Sequence, residues 1–169
     1  IERHAPAAVA PAATREPMHD DDPLRLSSSR IDDYLTCPLK YRYAHVMQIP
    51  LRRDPRLMFG SAIHHAIKLY HRNRMRGLPI DLETVLRAFE GAWSSEGFYT
   101  REHEELRQQE GRDMLTRFVA RENESGVVPL AIEMDFQFVQ GLSTVSGRFD
   151  RIDERPEGIV LIDYKTAEI

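Results

Sequence analysis

The chain contains the run G-R-F-D-R-I-D-E-R-P-E-G-I-V-L-I-D-Y-K, Gly147 to Lys165, which plants Asp150, Asp163 and Lys165 among Ile, Val and Leu. E-R-P-E-G is turn chemistry between two apolar runs. A hairpin turning at Arg155-Pro156-Glu157 sets Asp150 opposite Asp163, and opposed residues in such a pair hold their Cβ atoms ~4.5–5.5 Å apart. Two carboxylates at that distance repel unless positive charge lies between them. A divalent, oxygen-seeking cation such as Mg²⁺ or Mn²⁺ suits that position. The period of two along a strand also puts Lys165 on the face of Asp163. A second reading of the same residues is solvated strand-edge side chains, with Asp150-Arg151 and Asp153-Arg155 as surface pairs; the Ile-Val-Leu-Ile before Asp163, which is core composition, counts against it.

The elements that must carry these residues change character along the chain. After Gly126, Ile132, Met134, Phe136 and Phe138 alternate with Glu133, Asp135 and Gln137, which predicts a half-buried strand. Gly141 marks a turn, a second strand is expected over about Thr144 to Asp153, and a third over Ile159 to Thr166. Upstream the period is helical. Phe59, Ile63, Ala66, Ile67 and Tyr70 form one stripe, and Asp81 caps a helix burying Leu82, Val85, Leu86, Phe89 and Trp93. A charged helix over roughly Arg101 to Glu124 keeps Leu115, Phe118 and Val119 as its buried edge. Earlier still, Ser29-x-x-Asp32 resembles a capping box, and Pro38 suits the first turn of a second short helix carrying Leu39, Tyr43 and Val46. The fold class is therefore α+β, with N-terminal helices followed by an antiparallel three-strand hairpin or meander.

Composition narrows the function classes. With 169 residues, 41% hydrophobic and 30% charged, the chain suits one domain with a real core. No apolar run approaches the ~18 residues of a membrane span. A single cysteine, Cys37, excludes an internal disulfide and fits a reducing compartment, so a cytoplasmic location is expected. The formal net charge of −4 gives no global attraction to nucleic acid, so phosphate contacts must come from local patches. Lys40-Tyr41-Arg42-Tyr43 interleaves charge with aromatics, Arg52, Arg53 and Arg56 follow, and Lys68 through Arg76 contains Arg72 and Arg74 but no acid. Phosphate neutralisation and base stacking are one role for these patches, and solvated helix faces the other. Six Ala and four Pro in residues 1–24 are linker composition. An Ile rather than Met at position 1 points to a piece of a longer protein.

G-R-F-D-R-I-D followed by I-D-Y-K-T resembles the motifs of the PD-(D/E)XK nuclease superfamily, in the RecB-like branch found in RecB, AddA, AddB, nucleases fused to UvrD-type helicases, and CRISPR-adaptation exonucleases. Three further segments look like that branch. L-S-S-S-R-I-D-D-Y-L-T-C-P-L-K-Y-R-Y is similar to its opening segment, F-G-S-A-I-H-H to its Gly-x-x-x-His helix, and A-I-E-M-D-F to the strand bearing a Glu ahead of the metal-binding hairpin.

This resemblance implies a restriction-endonuclease-like core over 25–169 and a metal-dependent deoxyribonuclease, an exonuclease acting on DNA beside a UvrD-type helicase. It also implies metal ligation by His64, Asp150, Asp163 and the backbone carbonyl of Tyr164, with Lys165 orienting water and stabilising charge on the phosphate. Glu133 is a further catalytic candidate, touching a second metal or its water, or else a solvated strand residue. The metal would be Mg²⁺ or Mn²⁺. Gly60 shares a helix face with His64, and its small size would admit substrate or a strand to the imidazole; His65 and His71 are assigned to the surface. The DNA-binding candidates are Lys40, Tyr41, Arg42, Arg72 and Arg74. An iron–sulfur cluster cannot form within this chain on Cys37 alone. The family's Gln-x-x-x-Tyr helix and last strand are absent, so the isolated piece is expected to be weakly active or inactive. A catalytically inactive, nuclease-like DNA-binding or scaffold module is the competing reading.

Overall fold

The computed structural model describes residues 23–50 and 54–166. The expected linker therefore lies outside the described residues except for Pro23 and Leu24, as do Arg52 and Arg53. A two-residue strand β1 (Arg25–Leu26) leads into α1 (Ser28–Thr36), α2 (Pro38–Tyr41) and a π-helical turn over Arg42–Val46. Three longer helices follow, α3 (Pro55–Met75), α4 (Leu82–Gly91) and α5 (Arg101–Ser125), and then β2 (Ala131–Gln140), β3 (Ser143–Arg155) and β4 (Gly158–Ile162).

Local signals explain most boundaries. Asp54 and Asp81 cap α3 and α4 by accepting the N–H of Arg56 and Thr84, and Thr100 does the same for α5 through His103. The cap of α1 is Ser27 rather than the Ser29 box expected from sequence. Ser27 continues the extended backbone of β1 and can turn its hydroxyl onto the Arg30 N–H, whereas Ser29 is already helical.

The expected stripe on α3 is buried, with Ala62 added. It packs against Val85 and Phe89 of α4 and Leu115, Phe118 and Val119 of α5. Full burial of Ile63, Phe89 and Leu115 contributes about 1.5–3 kcal/mol each. Helices α4 and α5 approach so closely that a Cβ at Gly111 would collide with the Phe89 ring.

Among the described residues the sheet has four strands rather than three. β3 is central: β2 pairs antiparallel along one edge, while β1 (parallel) and β4 (antiparallel) share the other edge at opposite ends. The β3–β4 hairpin turns on Pro156-Glu157, placing Arg155 opposite Gly158 and Arg151 opposite Ile162. This register is the one expected from the sequence. The third strand nevertheless ends at Ile162 instead of running to Thr166. One further step would lay Asp163 directly against Asp150; instead the Asp150 carboxylate accepts the N–H of Tyr164 at 2.8 Å.

Two expectations about burial are corrected. The apolar row of β2 is covered unevenly: Phe136 stacks on Phe149 at 4.5 Å, but Met134 and Phe138 are exposed; α3 reaches the strand near its start, where Lys68 meets Glu133. His71, assigned to the surface, is 1% exposed; the burial of Arg151 and Asp153, at 3% and 0%, goes against the alternative reading of them as surface pairs.

Candidate metal centre

The site lies on the edge of β3 at the point where β4 leaves it. Helix α3 brings His64 and, one turn on, Lys68; β2 brings Glu133; β3 brings Asp150; and Asp163 to Thr166 pass over α3. One ligand atom from each of His64, Glu133 and Asp150 lies within 4.8 Å of the others, and all three side chains are half-buried. The His64 Nδ1 is 3.6 Å from Asp150 Oδ1, and its Nε2 is 3.0 Å from the carbonyl oxygen of Tyr164. Two carboxylates, a main-chain carbonyl and one imidazole form a donor set that fits a hard divalent cation.

Glu133 has φ +51°, a left-handed conformation that costs a non-glycine residue on the order of 1–3 kcal/mol. The bridged pairs Ile132–Arg151 and Met134–Phe149 flank it, and the register sets it across from Asp150. The positive charge that opposed carboxylates require is present as Lys68 Nζ and Arg148 Nη1, each 3.2 Å from Glu133 Oε2. Arg148 also reaches Asp135, from Nε to Oδ1, at 2.6 Å.

Asp163 stands apart from this cluster. Its side chain is 58% exposed and meets Lys165 Nζ at 2.6 Å, beyond the end of β4. That hydrogen bond, with the Asp163 charge and smaller contributions from Asp150 and Asp32, raises the Lys165 pKa, so the ammonium stays protonated at neutral pH. Gly60 does admit a close neighbour: a Cβ there would come within 3.0 Å of the Thr166 hydroxyl oxygen.

A second layer beneath the site was not anticipated. Arg151 forks onto Asp153 at 2.6 and 2.9 Å and reaches Glu122 of α5 at 2.6 Å. Burial works against the Arg151 charge, but hydrogen bonds to Asp153, Tyr164 and Glu122 outweigh it and raise its pKa. His71 Nε2 faces the Tyr164 hydroxyl at 2.9 Å. Burial, aided by the Arg151 charge, pushes His71 down to about 3, so its imidazole is neutral. The sequence signal for this layer was the D-R-I-D alternation, which places Arg151 and Asp153 on one strand face within an apolar stretch.

The DNA-binding candidates fall on α2, the π-helical turn after it, and α3. Lys40 is paired with Asp33 at 2.6 Å, Tyr41 packs between Tyr34 and His45, and Arg42 is exposed. Arg72 is exposed and Arg74 half-buried in the last turns of α3. Sequence reasoning missed Arg117 and Arg121 of α5. Both are exposed, and they line a groove of about 350 Å³ that is floored by Ile63, Ile67 and Leu115 and reaches Lys165.

Residues 25–168, which include every residue of this centre, match the PD-(D/E)XK nuclease superfamily. The chain belongs to that superfamily. No curated protein matches the chain. PD-(D/E)XK proteins are generally metal-dependent nucleases, and the α+β architecture with a four-strand sheet is consistent with their restriction-endonuclease-like core. No helix among the described residues is long and apolar enough to cross a membrane.

Proposed function

We propose that this PD-(D/E)XK domain is a DNA nuclease of the RecB-like type, an exonuclease working beside a UvrD-type helicase, with Mg²⁺ or Mn²⁺ held by His64, Asp150 and the Tyr164 carbonyl. The observation that carries the reading is the approach of a helix-borne histidine to the hairpin carboxylate, with Glu133 completing a set within 4.8 Å. A bound cation would supply Lewis acidity toward a phosphoryl oxygen and a more acidic water. The chain's own groups do the rest. Asp163 holds Lys165 as a protonated ammonium that can stabilise charge on the phosphate. Lys40, Tyr41, Arg42, Arg72 and Arg74 take the DNA away from the site, with Arg117 and Arg121 as further phosphate contacts beside Lys165.

The exposed position of Asp163, outside the cluster, favours a second reading: an inactive nuclease-like module that binds DNA or scaffolds a helicase. Calorimetric titration with Mn²⁺, together with degradation of linear and circular DNA, separates the two. The nuclease reading expects Mn²⁺ binding that His64→Ala and Asp150→Ala each weaken at least about tenfold, and metal-dependent cleavage. DNA binding without metal dependence, with no Mn²⁺ uptake by the wild type, would sink it.

A further inference from the structure

Tyr164 belongs to both layers at once. It lies two residues beyond the end of β4, where no strand ladder holds the backbone. Its amide donates to Asp150 at 2.8 Å and its carbonyl lies 3.0 Å from His64 Nε2, so both main-chain groups face the candidate metal centre. Its side chain points the other way. The ring stacks on His71 at 6.1 Å and 18° and meets Phe118 edge-on, while the hydroxyl sits 2.9 Å from His71 Nε2 and 3.4 Å from Arg151 Nη1. The neighbouring side chains Asp163 and Lys165 are 58% and 79% exposed and cannot hold the segment down.

We propose that Tyr164 is a positioning residue whose phenol, latched to His71 and Arg151, sets the amide and carbonyl that build the metal centre. The inference rests on the reading that this centre binds a divalent cation. Its chemistry is specific about protons. The Arg151 guanidinium, which can only donate, lies 3.4 Å from His71 Nε2, so this nitrogen is the acceptor for the phenolic O–H, and the buried Nδ1 has no partner among the described residues. Arg151 is immobilised by Asp153 and Glu122 and donates toward the phenolic oxygen. The latch therefore depends on the hydroxyl as well as on burial of the ring.

Tyr164→Phe separates these contributions, since it keeps the ring and removes the hydroxyl. Two quantities are measured on variants whose melting curves show a folded protein: the Mn²⁺ dissociation constant by calorimetry, and hydrogen exchange of the residue-164 amide in metal-free protein. The latch predicts Mn²⁺ binding weakened about tenfold, the lower end for residues that orient metal ligands, and exchange of that amide accelerated at least about fivefold while α4 amides are unchanged. His71→Phe, which keeps a ring for stacking, should produce the same pattern. Unchanged affinity and unchanged exchange in both variants overturn the latch, while Mn²⁺ binding by the wild type would leave the metal-site reading standing. If the wild type binds no Mn²⁺, that reading fails, and amide exchange still decides the latch. If neither variant folds, the hydroxyl serves the fold as a whole and the proposal of a local positioning role is wrong.

Discussion

Removing Arg151 gives the sharpest test of the buried layer. In Arg151→Met the forked bonds to Asp153 and the 2.6 Å bond to Glu122 disappear, leaving two carboxylates whose side chains are 0% and 10% exposed. Arg155 still faces Asp153 from 3.6 Å, so Glu122 loses more of its compensation. Breaking a buried pair by removing one partner costs about 3–5 kcal/mol, because the remaining charge stays desolvated. For a domain of this size each kcal/mol moves the melting temperature by roughly 2–4 °C, so a fall of about 10 °C is expected by circular dichroism. The reasoning also requires recovery. Adding Asp153→Asn and Glu122→Gln to Arg151→Met removes the orphaned charges and should restore at least half of the loss. A single variant melting within about 2 °C of wild type would refute the network's contribution, and a triple variant no more stable than the single would show that packing, not charge, was lost.

Two further outcomes follow from particular groups. His71 is neutral in the fold with a pKa of about 3, whereas an unfolded histidine titrates near 6.5, so the unfolded state binds the extra proton as pH falls between those values. Its contribution is complete above about pH 6.5 and is lost by about 1.4 kcal/mol per unit below it; urea unfolding at pH 7 and 4.5 should show wild type losing about 2–3 kcal/mol more than His71→Gln, and parallel losses would contradict the burial argument. If Arg117 and Arg121 contact phosphates, replacing both with Ala should weaken DNA binding evenly across sequences and flatten the plot of log affinity against log salt by about 2, which fluorescence anisotropy can measure. An unchanged slope would remove them from the DNA path.

How much of this protein was readable without coordinates depends on the range of the interaction. The stripe from Phe59 to Tyr70, the cap at Asp81 and the turn at Pro156-Glu157 are written in spacings of a few residues, so the α+β class and the β3–β4 register could be read directly. The motif order, with Asp150, Asp163 and Lys165 at its end, likewise belongs to the sequence alone. Periodicity says which face of an element is covered, but not what covers it. His71 looked like a surface residue because nothing nearby in sequence shows that Tyr164 and Arg151 close over it. Arg151 and Asp153 go under together with Glu122, 29 residues away, which takes up the rest of the Arg151 guanidinium, while Arg155 offsets the second carboxylate. The departure of Asp163 from the ladder and the left-handed backbone at Glu133 were likewise decided in three dimensions, where carboxylates brought face to face must find protons, cations or another direction.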